Sequence, residues 1–152
     1  MTLWIDADGC PVVDRAFAAA KKRDMRVALV CDSAHIFERD GVEVLTVSTG
    51  PDSADFALVN RIRPGDVAVT QDYGLAAMCL ARGAAVLNQD GLRYTPENID
   101  ALLLSRYTAK KIRRAGGRLK GPKKRTEEQN RAFDSALALL LDGQQEAGEQ
   151  GD

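Results

Sequence analysis

Four aspartates are the residues from which chemistry can be expected here. Asp6 and Asp8 follow the apolar run Leu3-Trp4-Ile5, Asp55 falls in the first turn of a helix that follows a third strand, and Asp72 closes Val67-Ala68-Val69-Thr70-Gln71-Asp72. Residues two apart on an extended chain point the same way, so Asp6 and Asp8 can reach one centre. Carboxylates gathered at one place repel each other. A bound Mg²⁺ or Mn²⁺ removes that penalty and is matched by hard oxygen ligands; such an ion lowers the pKa of its water and steadies charge on a phosphoryl group. Taken singly, each of these aspartates also reads as a helix cap or a loop residue. Asp52 and Asp66 are read in that way, and Asn88 stands at the corresponding place after a fifth strand. The recurrence of acids at several strand ends is what points to a shared catalytic centre.

The second chemical feature is basic. From Arg106 to Arg125 the chain carries ten basic residues and no acidic one, while the remainder holds eleven basic against 22 acidic residues. A net charge of -1 therefore hides an acidic body and a basic segment. Lys110, Lys111, Arg113, Arg114, Arg118, Lys120, Lys123, Lys124 and Arg125 are the candidates for holding a phosphate backbone. Gly116, Gly117, Gly121 and Pro122 make a loop able to follow such a ligand. The plainer alternative is a solvated helix face and its loop. Tyr94 and Tyr107 read equally as aromatics that stack on bases or as core residues.

Other chemistries find less support. Cys10, Cys31 and Cys79 are scattered and form no CxxC pair, so neither a zinc site nor a disulfide framework is indicated. Cys10 precedes a helix start, where the dipole can lower a thiol pKa, but the next arginine, Arg15, follows one residue too soon for a phosphate-binding cysteine loop; a packing role is expected. His35 is the only histidine and cannot anchor zinc alone. G-x-S-x-G, G-x-G-x-x-G and G-x-x-x-x-G-K-[ST] are all missing from the sequence. The N-terminal residues do not read as a signal peptide, and no apolar run approaches the ~20 residues that span a bilayer. A cytoplasmic protein is expected.

The elements that must position these residues alternate. Residues 3–5, 26–31, 42–47, 67–70 and 84–87 read as strands, rich in β-branched and apolar side chains. Helices are expected from Pro11, from Ser53 to about Arg61, from Gly74 to Arg82, from Thr95-Pro96-Glu97 on to Ala115, and from Thr126. That alternation predicts an α/β fold, a three-layer αβα sandwich around a mostly parallel sheet of about five strands. Sites in such sheets form outside the carboxyl ends of the strands. With 45% hydrophobic residues, positions 1–142 are expected to form one domain, with C-terminal helices and a disordered polar tail at 143–152.

Four stretches carry a resemblance: Asp6-Ala7-Asp8-Gly9-Cys10-Pro11-Val12, Ala54-Asp55, Gly65-Asp66-Val67-Ala68-Val69-Thr70-Gln71-Asp72 with Gly74-Leu75-Ala76, and Lys120-Gly121-Pro122-Lys123. With them the chain, from about Leu3 to Leu141, resembles the YaiI/YqxD family of uncharacterised bacterial proteins, relatives of the PIN-like nucleases. By analogy the resemblance implies a PIN-like fold and metal-dependent cleavage of RNA, with Asp6, Asp55 and Asp72 as ligands of Mg²⁺ or Mn²⁺ and Asp8 as a further ligand or base. This chain departs from the family's usual pattern at Asn88-Gln89-Asp90-Gly91, where Asn or Ser is often followed by Pro-Arg-Gly. It departs again at Lys124-Arg125, where an aromatic often stands. A second enzyme class also fits in part. Ile5-Asp6-Ala7-Asp8-Gly9 resembles the first motif of haloacid-dehalogenase-like phosphatases, which implies Asp6 as nucleophile and Asp8 as general acid. That chemistry also needs a lysine, and between Lys22 and Lys110 there is none. A non-catalytic RNA-binding or adaptor protein on the same fold is the third expectation.

Overall fold

The computed structural model describes residues 1–31, 44–48, 54–114, 116 and 124–150, with backbone alone at 44–48, 54–55, 107, 109–114 and 149–150. Among the described residues, six strands form one sheet: β1 (Thr2–Asp6), β2 (Arg26–Cys31), β3 (Val44–Ser48), β4 (Val67–Val69), β5 (Ala85–Leu87) and β6 (Arg93–Tyr94). Their order is β3-β2-β1-β4-β5-β6; the first five run parallel, and β6 pairs antiparallel with β5. The expected mostly parallel sheet is thus present, with a two-residue edge strand that the short Arg93-Tyr94 pair gave no periodicity to reveal.

Five helices cover the two faces: α1 (Val13–Lys22), α2 (Ala54–Val59), α3 (Tyr73–Ala81), α4 (Pro96–Arg114) and α5 (Glu127–Gln150). The period-2 alternation of the strands divides the core. Leu3, Ile5, Val27, Leu29, Val67, Val69 and Leu87 pack with α1 and with Phe133, Leu137 and Leu141 of α5. Trp4, Ala28, Val30, Ala68 and Val86 face the other way, onto Leu58 of α2, Leu75, Ala76 and Cys79 of α3, and Ile99 of α4. Both faces of the central strands are buried, as a parallel sheet requires, and the result is the three-layer sandwich expected.

Helix starts follow the sequence signals. Thr95 and Asn98 bond reciprocally, backbone N–H to side chain, at 2.9 and 3.2 Å, and Pro96 opens α4. Thr126 and Gln129 do the same for α5 at 2.8 and 3.2 Å. Helix α5 then runs through Gln150, so positions 143–150 are helical where a disordered tail was expected. Gln144, Gln145, Glu146, Ala147 and Glu149 are good helix formers that outweigh Gly143 and Gly148, and Gln144 donates to the Gly65 carbonyl at 3.1 Å. Arg15 pairs with Glu127 and Asp134, and Arg23 with Asp142, tying α1 to α5 along its length.

Asn88 closes the β5–β6 connection. Its side-chain oxygen accepts from the N–H groups of Asp90 and Leu92, each at 2.8 Å, and Gly91 takes φ +86°. A Cβ on Gly91 would lie 2.7 Å from the Ala132 carbonyl oxygen on α5. Strain at positive φ and overpacking against that helix add up, so Gly91→Ala is expected to lower unfolding stability by about 3 kcal/mol. Urea denaturation of both proteins checks this, and matching midpoints would refute it.

Candidate active site

In the order β3-β2-β1-β4-β5-β6 the chain leaves β1 in one direction and β4 in the other. Loops after two such strands part, and the crevice between them is where ligands bind in open α/β sheets. Here the crevice is a cleft of about 430 Å³ lined by Asp6, Asp8, Gly9, Gln71, Asp72, Tyr73 and Arg106. Asp6 and Asp8 come from the end of β1. Alternation turns Ala7 toward α1 and α5, where it is buried, and leaves its neighbours on the side of α3 and α4. The chain then turns through Gly9 at φ +71°. Gln71 holds that turn by donating to the Gly9 carbonyl at 3.0 Å.

Thr70 is the joint of the cleft. It is buried, its N–H donates to Leu87 O at 3.0 Å and its carbonyl accepts from the Tyr94 hydroxyl at 3.2 Å. Its own hydroxyl donates to Asp6 Oδ2 at 2.8 Å and accepts from the Asp72 N–H at 3.0 Å. A threonine here thus links the acid of β1 to the chain that carries the acid of β4. Asp72 caps α3: its Oδ1 accepts from the N–H groups of Gly74 at 2.8 Å and Leu75 at 3.2 Å. Arg106, on α4, reaches the same oxygen at 3.5 Å. Asp72 therefore caps α3 and lines the cleft with the same side chain.

Asp6, Asp8 and Asp72, three of the four aspartates singled out in the sequence, share this cleft. Asp55 lies at the second position of α2, and its carboxylate is outside the described residues. Mg²⁺ commonly takes one or two carboxylates and keeps several waters, so oxygen donors gathered on one open cleft suit it and Mn²⁺. Among the described residues, no group of three acidic, histidine or cysteine side chains is arranged to hold an ion by itself. Thr70, Gln71, Tyr73 and Arg106 were not singled out beforehand. Thr70 had a signal in its position two before Asp72 at the end of β4, and Arg106 in being the first residue of the basic run.

The basic segment divides. Positions 110, 111, 113 and 114 continue α4, with their side chains outside the described residues, as are Arg118, Lys120, Lys123, Tyr107 and His35 altogether or in their side chains. Lys124 is exposed. Arg125, a candidate for phosphate binding, also braces the fold: its guanidinium donates to Asp90 at 2.6 Å, to Asn130 at 2.5 Å and to the Gln89 carbonyl, one bond from each nitrogen. Asn88 is likewise occupied with its turn. Tyr94 is core, edge-to-face with Tyr73 at 6.0 Å, and burial drives its pKa up. Burial also raises the pKa of Cys10, with Asp6 adding to the effect against a backbone hydrogen bond that lowers it. Burial thus outweighs the helix start that follows the thiol.

A family model described as uncharacterised, the YaiI/YqxD family, matches residues 4–143. A UPF0178 protein of Exiguobacterium sibiricum is 52% identical over 93% of this chain and 96% of its own length. Relatives of the same name in Ruminiclostridium cellulolyticum and Clostridium acetobutylicum are 46% and 43% identical, over 93% of this chain in both cases and 92% and 97% of their own lengths. No solved structure matches.

Proposed function

The chain belongs to the uncharacterised bacterial YaiI/YqxD family, a membership that assigns no chemistry, and from the cleft itself we propose that it is a divalent-metal-dependent phosphodiesterase acting on single-stranded RNA. The observation that carries this reading is the meeting of Asp6, Asp8 and Asp72 with Arg106 in one cleft at the point where the strand order reverses. Acids alone would suit a cation site, and a cation alone a phosphate site. Both together suit a substrate that is itself a phosphate and reacts beside an ion. Asp6 and Asp72 would hold the ion, with Asp55 the further ligand that the resemblance implies. A bound Mg²⁺ or Mn²⁺ would supply charge to the phosphoryl oxygens and acidify a water. Asp8, exposed at the rim, would serve as the base for that water. Thr70 keeps Asp6 from rotating away, as a hydrogen bond to a ligand carboxylate does at metal sites. The basic residues of α4 and the loop beyond it hold the rest of the strand.

The test is cleavage of a fluorescent single-stranded RNA oligonucleotide with Mn²⁺ or Mg²⁺ and with excess EDTA. Cleavage that needs the metal is expected. RNA bound but unchanged under every divalent metal would replace the enzyme with an adaptor, and RNA neither bound nor cut would end the reading. A phosphatase using Asp6 as nucleophile shares the cleft but has an arginine, not a lysine, beside its acids; a trapped aspartyl-phosphate on Asp6 would favour it.

A further inference from the structure

Tyr94 is buried, and the aromatic ring that reaches the cleft is that of its neighbour Tyr73. Tyr73 opens α3 directly after the Asp72 cap. It packs on the core cluster of Trp4, Leu58, Leu75 and Tyr94, yet stays half-buried and lines the cleft. Its ring meets that of Tyr94 at a centroid distance of 6.0 Å and an angle of 67°. Tyr94 is itself fixed, because its hydroxyl donates to the Thr70 carbonyl at 3.2 Å. The Tyr73 ring is thus braced from the core and open toward the cleft it shares with Arg106. Arg106 has its side chain 49% exposed and meets Asp72 at 3.5 Å, at the long end of an ion pair. An exposed pair of this length is weak, and the planar fork of a guanidinium matches two phosphate oxygens. Positions 110, 113 and 114, all basic, follow 106 at helical spacing along α4.

Resting on the reading of the cleft as a site for single-stranded RNA, we infer that Tyr73 is a stacking platform for one nucleobase and sets the preference for unpaired strands. A braced ring with one open side is a surface on which a flat base settles, and every base has a π face, so the platform tolerates any sequence. A base inside a duplex already has stacked neighbours and must leave them before it can lie on Tyr73. An unpaired base meets no such cost. The phosphate beside the stacked base falls to Arg106, and the basic positions further along α4 take the strand onward. This contact involves no ion and is separable from the chemistry of the cleft.

The test uses the full chain, with circular dichroism to confirm that Tyr73→Leu and Tyr73→Phe fold as the parent does. Oligouridylate affinity is read by fluorescence anisotropy in EDTA, and KM by cleavage with Mn²⁺. Tyr73→Leu keeps an apolar side chain against Tyr94 but offers no flat face. It is expected to bind oligouridylate about tenfold more weakly, the scale of one lost base–aromatic contact, and to raise KM by a similar factor. Its preference for the single strand over a duplex of equal length should shrink by the same factor. Tyr73→Phe keeps the ring and is expected to restore both values. A strand of the same length without bases should bind the parent and Tyr73→Leu alike, and the parent at least about tenfold more weakly than oligouridylate; this last comparison needs no variant. Equal affinity and equal KM in the parent and Tyr73→Leu would overturn the platform while single-strand binding stands. If the parent neither binds nor cuts RNA, that reading falls and the platform with it.

Discussion

Asp6→Asn is expected to lower metal-dependent cleavage of single-stranded RNA by about a thousandfold, the scale at which loss of one fixed charge at a reacting centre is felt. Asparagine keeps the shape of aspartate, and its side-chain carbonyl can still accept the Thr70 hydroxyl that now reaches Asp6 at 2.8 Å. The fold should therefore survive, and thermal unfolding of the variant should match the parent to within a few degrees. What is lost is one negative charge among Asp6, Asp8 and Asp72, and with it part of the attraction that draws a divalent ion into the cleft. The effect should appear in Mn²⁺ titration as well as in turnover, and Asp72→Asn should reproduce it. Cleavage by both variants at the parent rate would remove the cleft from the chemistry altogether.

The second large effect concerns stability. Asp66 is buried at the opposite end of β4 from the cleft and accepts three hydrogen bonds, from the Thr2 N–H at 2.9 Å, the Trp4 indole N–H at 3.0 Å and the Arg63 N–H at 3.0 Å. It ties the start of β1 to the turn before β4. Asp66→Ala would strand the indole N–H inside the core and cut both backbone anchors, at an expected loss of about 4 kcal/mol from bonds worth about 1.5–3 kcal/mol each when the acceptor is charged. Asp66→Asn can keep the two bonds to one oxygen but sets its NH2 against the Thr2 N–H, so it should lose less than Asp66→Ala without matching the parent. Trp4 is the only tryptophan, so its fluorescence in a urea titration reports on this bracket directly. A midpoint for Asp66→Ala within experimental scatter of the parent would show that the bracket carries no weight.

These two aspartates also mark what the sequence makes legible. The placement of Asp6 and Asp72 is legible because one ends β1 and the other follows β4 at the start of α3, and parallel strands put their carboxyl ends on one edge. Asp66 was read as a loop residue. Its Pro64-Gly65 setting says turn, as its bond from the Arg63 N–H bears out, while its other two partners lie 62 and 64 residues away, beyond what local pattern can report. Arg125 was hidden for the same reason: its contacts with Asp90 and Gln89 bridge 35 and 36 positions, whereas the run of like charges around it suggested a free face. The helical course of 143–150 is hidden in the sequence because its polar composition resembles a tail, while Gln, Ala and Glu favour helix. Thr70 illustrates a further limit, since a buried threonine ending a strand looks like any β-former until the acid opposite it is known.

The Thr70–Asp6 bond spans 64 positions, and this bears on when the cleft can exist. Closing a loop of that length is an entropic hurdle met late, after helices and neighbouring strands have formed from local contacts. A growing chain that has extruded β1, α1 and β2 already displays Asp6 and Asp8, yet it lacks the strand that arrests them. Half-synthesised copies thus carry these carboxylates without the cleft that gathers them, and the cleft forms in one step when β4 docks beside β1.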